Sequence, residues 1–312
     1  MKIIYMGTPE FAVGALEALI DAGHQIVLVV TQPDKPKGRG KEMQFTPVKE
    51  CALKHDIPVF QPVKIKTPEA VGKLREYEAD VFVVAAFGQI LSEEILNMPK
   101  YGCVNIHASL LPKYRGAGPI QWVILNGEKV TGITIMQMDK GIDNGDILMQ
   151  STVEIDEKET GDSLHDKLAA EGAKLIVEAI SKIEKGEIVP VKQNDEESCY
   201  AKMLQKSLGE VDWNKSAVEI ERMVRGLNSW PGTYTHYNGK TLKIWESEVS
   251  RSENSLQDAA PGMVTAVEKD AFYVRTGEKD LKITQVQLEG KKRLPVKEFL
   301  LGVKLKVGDR FE

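Results

Sequence analysis

Short apolar runs alternate with amphipathic stretches through the first half of the chain. Residues 2–6 and Gln25–Val30 are apolar runs of strand length. Between them, residues 11–22 place Phe11, Ala15, Leu16, Leu19 and Ile20 on one helical face, with Gly23 as the stop. The alternation continues with a helix over 47–55, a short strand at 57–60 and a helix opened by Thr67-Pro68-Glu69. A strongly apolar strand at 80–86, a short helix after Ser92-Glu93-Glu94 and a strand at 102–107 follow. Strands and helices in this order predict an α/β domain built on a Rossmann-like, doubly wound sheet. Ligands of such sheets bind beyond the carboxyl ends of the strands. Gly7, the polar loop at 31–41, residues 87–91 and residues 108–119 are expected there.

The pattern then changes. Residues 131–139 and Ile147–Glu154 read as a hairpin whose loop is Lys140-Gly141-Ile142-Asp143-Asn144-Gly145-Asp146. One long amphipathic helix spans 162–185, and the polar, acidic stretch 190–199 reads as a linker. Beyond it come a helix at 216–228 and short strands punctuated by Asn238-Gly239, Pro261-Gly262, Gly277 and Gly290. That spacing predicts a small C-terminal β-barrel, OB-like in type. The expected division is a catalytic domain over 1–189, a linker over 190–205 and the barrel domain over 206–312.

Composition narrows the class. The 312 residues, 42% hydrophobic and 28% charged, suit two globular domains with full-sized cores. Cys51, Cys103 and Cys199 are odd in number and widely spaced, which fits a reducing cytoplasmic setting rather than a disulfide framework. No leader pattern is read at the N-terminus, and no apolar run approaches the ~20 residues that span a bilayer. Residues 200–312 carry 19 Lys and Arg against 16 Asp and Glu, whereas residues 1–199 carry 22 against 30. A mildly basic second half points to a polyanionic partner.

Gly7-Thr8-Pro9-Glu10 follows a strand but lacks the glycine spacing of a dinucleotide loop, and no P-loop is present. The informative run is Gly102-Cys103-Val104-Asn105-Ile106-His107-Ala108-Ser109-Leu110-Leu111-Pro112. Alternation along a strand puts Cys103, Asn105 and His107 on one face, with Asn105 and His107 about 6.6–7 Å apart. An amide donor beside an imidazole suits an oxygen that gains charge during acyl transfer. Asp143, on its glycine-flanked loop, suits a carboxylate that orients a histidine or accepts an amine proton. The same residues also suit a polar strand end and an ordinary turn. Cys103, His107 and Asp143 are too scattered to predict a metal, and none is expected.

Asn105-x-His107-x-Ser109-Leu110-Leu111-Pro112, followed by Tyr114-Arg115-Gly116-Ala117 and then Asp143, resembles the signature of the folate-dependent formyltransferase superfamily. Within it, several further stretches resemble the branch that acts on methionyl-tRNA. They are Gly7-Thr8-Pro9, Thr31-Gln32-Pro33-Asp34-Lys35-Pro36, Gly38-Arg39-Gly40-Lys41, Gln137-Met138-Asp139, Gly145-Asp146 and Trp230-Pro231. The resemblance covers nearly the whole length and is looser in the C-terminal region. It implies transfer of formyl from 10-formyltetrahydrofolate to the α-amine of methionine on initiator tRNA. It also implies that Asn105 donates to the oxyanion, that His107 is held by Asp143, and that Asp143 helps draw the proton off the amine. Ser109, Leu110, Leu111 and Pro112 would line the folate pocket, with Phe87 and Ile90 as walls or as ordinary packing. The loop bearing Lys35, Lys37, Arg39 and Lys41 would enter the tRNA acceptor end, Arg39 foremost. Lys291, Lys292 and Arg293 would meet the tRNA backbone in a salt-dependent way. The family expectation is a monomer.

Two other acceptors share this chemistry, a glycinamide ribonucleotide and water. The region after Pro190 and the Arg39 loop argue against the first. A non-catalytic RNA-binding protein on the same scaffold would have no need of Asn105, His107 or Asp143.

Overall fold

The computed structural model describes residues 1–37, 42–251 and 258–312. The chain forms two compact units. The first comprises Met1–Pro119, Val130–Glu154 and His165–Ala201, and the second Ile120–Lys129, Ile155–Leu164 and Lys202–Glu312.

In the first unit the strands are β1 (Lys2–Gly7), β2 (Gln25–Val30), β3 (Lys35–Lys37), β4 (Glu42–Gln44), β5 (Val59–Phe60), β6 (Val81–Ala85), β7 (Cys103–His107), β8 (Arg115–Gly116), β9 (Val130–Gln137), β10 (Ile147–Glu154) and β11 (Tyr200–Ala201). The helices that begin in it are α1 (Val13–Asp21), α2 (Pro47–Lys54), α3 (Pro68–Arg75), α4 (Glu93–Leu96) and α5 (Pro119–Leu125), and α6 (Gly161–Lys185) runs for most of its length here. The main sheet has the order β10-β9-β7-β6-β1-β2-β5. The five strands from β7 to β5 are parallel, and β9 and β10 are antiparallel additions. β6 is buried at every position and β1 at all but its first, as expected of parallel strands covered on both faces. Leu28, Val30, Phe82 and Val84 of the sheet share one apolar cluster with Val71 and Leu74 of α3 and Ile95 and Leu96 of α4. Thr46 and Thr67 start α2 and α3 by accepting the backbone N–H of Lys49 and Ala70, each with proline at the first turn.

Three local features differ from the sequence expectation. β3 and β4 pair as a short antiparallel ribbon inside a stretch predicted to be loop. Residues before proline favour extended backbone, so Lys35-Pro36 already suits an edge strand. α5 is a helix where none was predicted. Residues 190–201 are tied to the first unit: Val191 bridges Ile147, and β11 pairs with β8.

The second unit holds α7 (Ala217–Gly226), β12 (Thr233–Tyr237), β13 (Lys240–Val249), β14 (Val264–Val267), β15 (Phe272–Arg275), β16 (Asp280–Leu288), β17 (Leu294–Pro295) and α8 (Val296–Gly302). Its antiparallel sheet has the order β12-β13-β16-β15-β14, with β17 on β16. Asn238 and Gly239 turn the β12–β13 hairpin with φ of 51° and 71°, the left-handed pair that a tight hairpin requires. A reciprocal capping box between Ser216 and Glu219 opens α7. The core gathers Trp213, Tyr237, Phe272, Phe299 and Phe311.

Candidate active site

β7 lies between parallel β6 and antiparallel β9, so its backbone is held by ladders on both sides. Asn105 pairs with Val84 of β6 and Met136 of β9, and His107 pairs with Thr134. Both residues stand toward the carboxyl end of the strand, where the fold rule places ligands. Asn105 is half-buried, and among the described residues its amide has no hydrogen-bond partner. His107 is buried, with Nε2 2.9 Å from the carbonyl of Tyr114. A carbonyl only accepts, so Nε2 carries the hydrogen and Nδ1 is the nitrogen left to gain or lose a proton. Asp143 Oδ2 stands 3.6 Å from that Nδ1, too long for a hydrogen bond and close enough for an ion pair once the ring is protonated.

Asp143 reaches His107 from a loop between β9 and β10, and the loop is fixed by polar contacts. Its Oδ2 accepts the backbone N–H of Gly116 at 2.9 Å. The Gln193 amide donates to the carbonyls of Asp143, at 2.9 Å, and Gly145, at 2.7 Å. Gly145 has no space for a side chain, since a Cβ there would lie 1.9 Å from the Gln137 carbonyl oxygen. Asp143 and Tyr114 both hold left-handed backbone, φ 50° and 61°, a conformation that costs about 1–2 kcal/mol outside glycine. Non-glycine residues of this kind cluster at functional sites.

The other predicted residues divide. Ser109 is fully buried and donates its hydroxyl to the Lys113 carbonyl at 2.7 Å. Thr134 Oγ1 donates to the Ser109 carbonyl and accepts from the Leu111 N–H and the Gln150 amide, which pins the loop after β7. Leu111 is buried, whereas Leu110 and Pro112 are half-buried. Phe87 is enclosed in the apolar cluster with Ile4, Val84 and Leu91, so its side chain packs the core, and Ile90 is 69% exposed. Lys35 is exposed in β3, and Lys37 ends that strand. Arg39 and Lys41 lie outside the described residues. Lys291, Lys292 and Arg293 are exposed in the second unit, where Arg293 stacks on Trp245 at 4.5 Å and faces Glu246. Cys103 sits with its thiol against the carbonyls of Ile95 and Leu96, and burial pushes that thiol up to about 12. Among the described residues, Cys103, His107 and Asp143 do not converge as metal ligands.

Sequence reasoning missed the Tyr114 carbonyl, the Gly116 N–H, Thr134 and Gln193. The first two belong to the Tyr114-Arg115-Gly116-Ala117 run, whose backbone groups carry no signal in the sequence. Gln193 lies in a polar stretch with no periodicity to single it out.

The family model for formyl transferase matches residues 1–180, and the model for formyl transferase, C-terminal domain, matches residues 203–304. The chain belongs to the formyl transferase family and is an enzyme that transfers a formyl group. Its curated relatives include the methionyl-tRNA formyltransferase of Agathobacter rectalis, 55% identical over 100% of this chain and 99% of the relative. That of Lachnospira eligens is 52% identical over 99% of this chain and 98% of the relative. Among solved structures, the sugar 3N-formyl transferase WlaRD, with dTDP and 5-N-formyl-THF, aligns with a TM-score of 0.67 at 22% identity, covering 94% of this chain and 99% of that one. HypX from Aquifex aeolicus in complex with tetrahydrofolic acid aligns with a TM-score of 0.63 at 18% identity, covering 100% of this chain and 50% of that one. At these identities the likeness to the two structures is one of fold.

Proposed function

We propose that this enzyme moves the formyl group of 10-formyltetrahydrofolate to the free amine of methionyl-tRNA, the initiator form, in the cytoplasm and as a monomer. The observation that carries the chemistry is the open Asn105 amide on the same strand face as His107, with Asp143 beside the titratable nitrogen of that ring. The acceptor is supported by relatives named methionyl-tRNA formyltransferase that match the chain from end to end. In the reaction the amine nitrogen attacks the formyl carbon, and the carbonyl π pair moves to oxygen. The Asn105 amide donates to that oxyanion in a partly desolvated place, where such a bond counts most. The proton leaves the amine for the Asp143–His107 pair. The carbon–N10 bond then breaks, and the same pair returns a proton to N10, leaving a formamide and tetrahydrofolate.

Ser109, Leu110, Leu111 and Pro112 are proposed to border the folate. Lys35, Lys37, Arg39 and Lys41 of the first unit and Lys291, Lys292 and Arg293 of the second are proposed to meet tRNA. The three-part division into a catalytic domain, a linker and a tRNA-binding barrel belongs to the same reading. An OB-like closure of the second sheet is supported by the C-terminal residues. Glu312 exchanges backbone hydrogen bonds with His236 beside β12, and Phe311 and Asp309 bond Gly262 and Val264 beside β14. The test supplies 10-formyltetrahydrofolate with charged initiator tRNA, uncharged tRNA or glycinamide ribonucleotide. Formylation of the charged tRNA alone is expected. Formylation of the small amine, or formate release alone, overturns the acceptor and leaves the site.

A further inference from the structure

Arg115 and Gln193 take no part in the bond-making above, yet both are sealed inside the first unit, at 3% and 7% exposure. A buried guanidinium is costly unless its N–H groups are matched. Nε and Nη2 of Arg115 both donate to Gln193 Oε1, at 3.0 and 2.8 Å, and Nη2 also donates to Asp195 Oδ1 at 2.8 Å. The two bonds to Oε1 occupy its lone pairs and fix which way the Gln193 amide faces. A flipped amide would set its NH2 against the guanidinium. Nε2 therefore points at the Asp143 loop, where it donates to the carbonyls of Asp143 and Gly145.

The next residue after Arg115 holds the other end of the same aspartate. The Gly116 N–H binds the Asp143 carboxylate, and the Arg115 side chain, through Gln193, binds the Asp143 backbone. Pairing of β8 with β11 and the bond from Arg115 N–H to the Cys199 carbonyl fasten this device to residues 199–201. We propose that Gln193, oriented by Arg115, is a positioning residue that holds the Asp143 carboxylate beside His107. This inference rests on the proposed formyl transfer at that site.

Gln193→Glu keeps the shape and the acceptor facing Arg115, but turns an acceptor toward two carbonyls that need a donor. Single-turnover formylation is measured on wild type, Q193E, D143N and the double variant, with whichever amine the wild type accepts. Wild-type product formation scores the reaction, and the variant ratios score the positioning role. A displacement near 1 Å costs turnover about 100-fold, so kcat of Q193E is expected to fall about 10- to 100-fold with KM values within about threefold. In the D143N background the same change is expected to cost less than about twofold, because its route runs through Asp143. A kcat within about twofold of wild type, or a loss that multiplies undiminished in D143N, overturns the proposal. If Q193E does not melt cooperatively, R115K enters the same cycle. It keeps the charge facing Asp195 but loses the fork on Oε1. An expected loss of about tenfold should vanish in D143N, and an equal loss in both backgrounds overturns the role.

Discussion

Asn105 and His107 stand on a strand, whereas Asp143 stands on a loop, and different forces hold the two halves of the site. β7 is fixed by backbone ladders to β6 and β9 in the middle of a buried sheet. Side chains on such a strand inherit the rigidity of the sheet. The Asp143 loop has no ladder of its own. It is fixed by the Gly116 N–H, the Gln193 amide and a glycine where no side chain fits. The strand half should therefore fail only when its functional atoms are removed, and the loop half also when its supports are.

The largest effect should come from the strand half. Asn105→Ala removes the proposed oxyanion donor and should lower kcat about 10²- to 10³-fold, while the Kd for tRNA stays within about twofold in equilibrium binding. Asp143→Asn keeps an oxygen for the Gly116 N–H and loses the negative charge. A loss of about 10²-fold in rapid-quench turnover is expected, with an unchanged melting temperature. Gly116→Ala tests support alone. Its backbone has φ of 107°, and a Cβ would lie 2.8 Å from the Ala201 carbonyl. It should cost about 1–3 kcal/mol in denaturant unfolding and lower turnover, although it removes no reacting atom.

The smallest effect concerns another polar anchor of the first unit. Asp34 accepts from Lys49 and Gln61 just before β3. Burial works to raise its carboxyl, but those hydrogen bonds and the Lys49 charge outweigh it and hold the group below the usual carboxylate range. A depressed folded value adds stability above the unfolded value, and that stability is lost as pH falls through the folded one. Asp34→Asn should lower Tm at neutral pH, and the gap to wild type should close as pH drops below about 4.

Legibility followed the same divide. Asn105 and His107 could be read as one strand face because alternation is a local property of sequence. Asp143 could be read as a loop carboxylate, but only the resemblance joined it to His107, since nothing local brings a residue 36 positions on back to that ring. Gln193 and Arg115 escaped because their contacts are polar and distant in sequence, and such contacts leave no hydrophobic period. Residues 190–199 read as a linker for that reason, although they bond to the Asp143 loop. Phe87 could be read equally as wall or core, and in the structure its ring is buried in the cluster with Ile4, Val84 and Leu91. The start of α3 was legible, because Thr67 before Pro68 and Glu69 is itself the physical signal.

The central claim is that the strand half and the loop half act on the same reacting atoms. A double-mutant cycle of Asn105→Ala and Asp143→Asn, followed by single-turnover formylation of methionyl-tRNA, tests it most directly. Groups that act as one unit are strongly non-additive, so the double variant should be no more than about fivefold slower than the slower single variant. A rate equal to the product of the two separate losses would mean that the halves act independently, and would contradict the account.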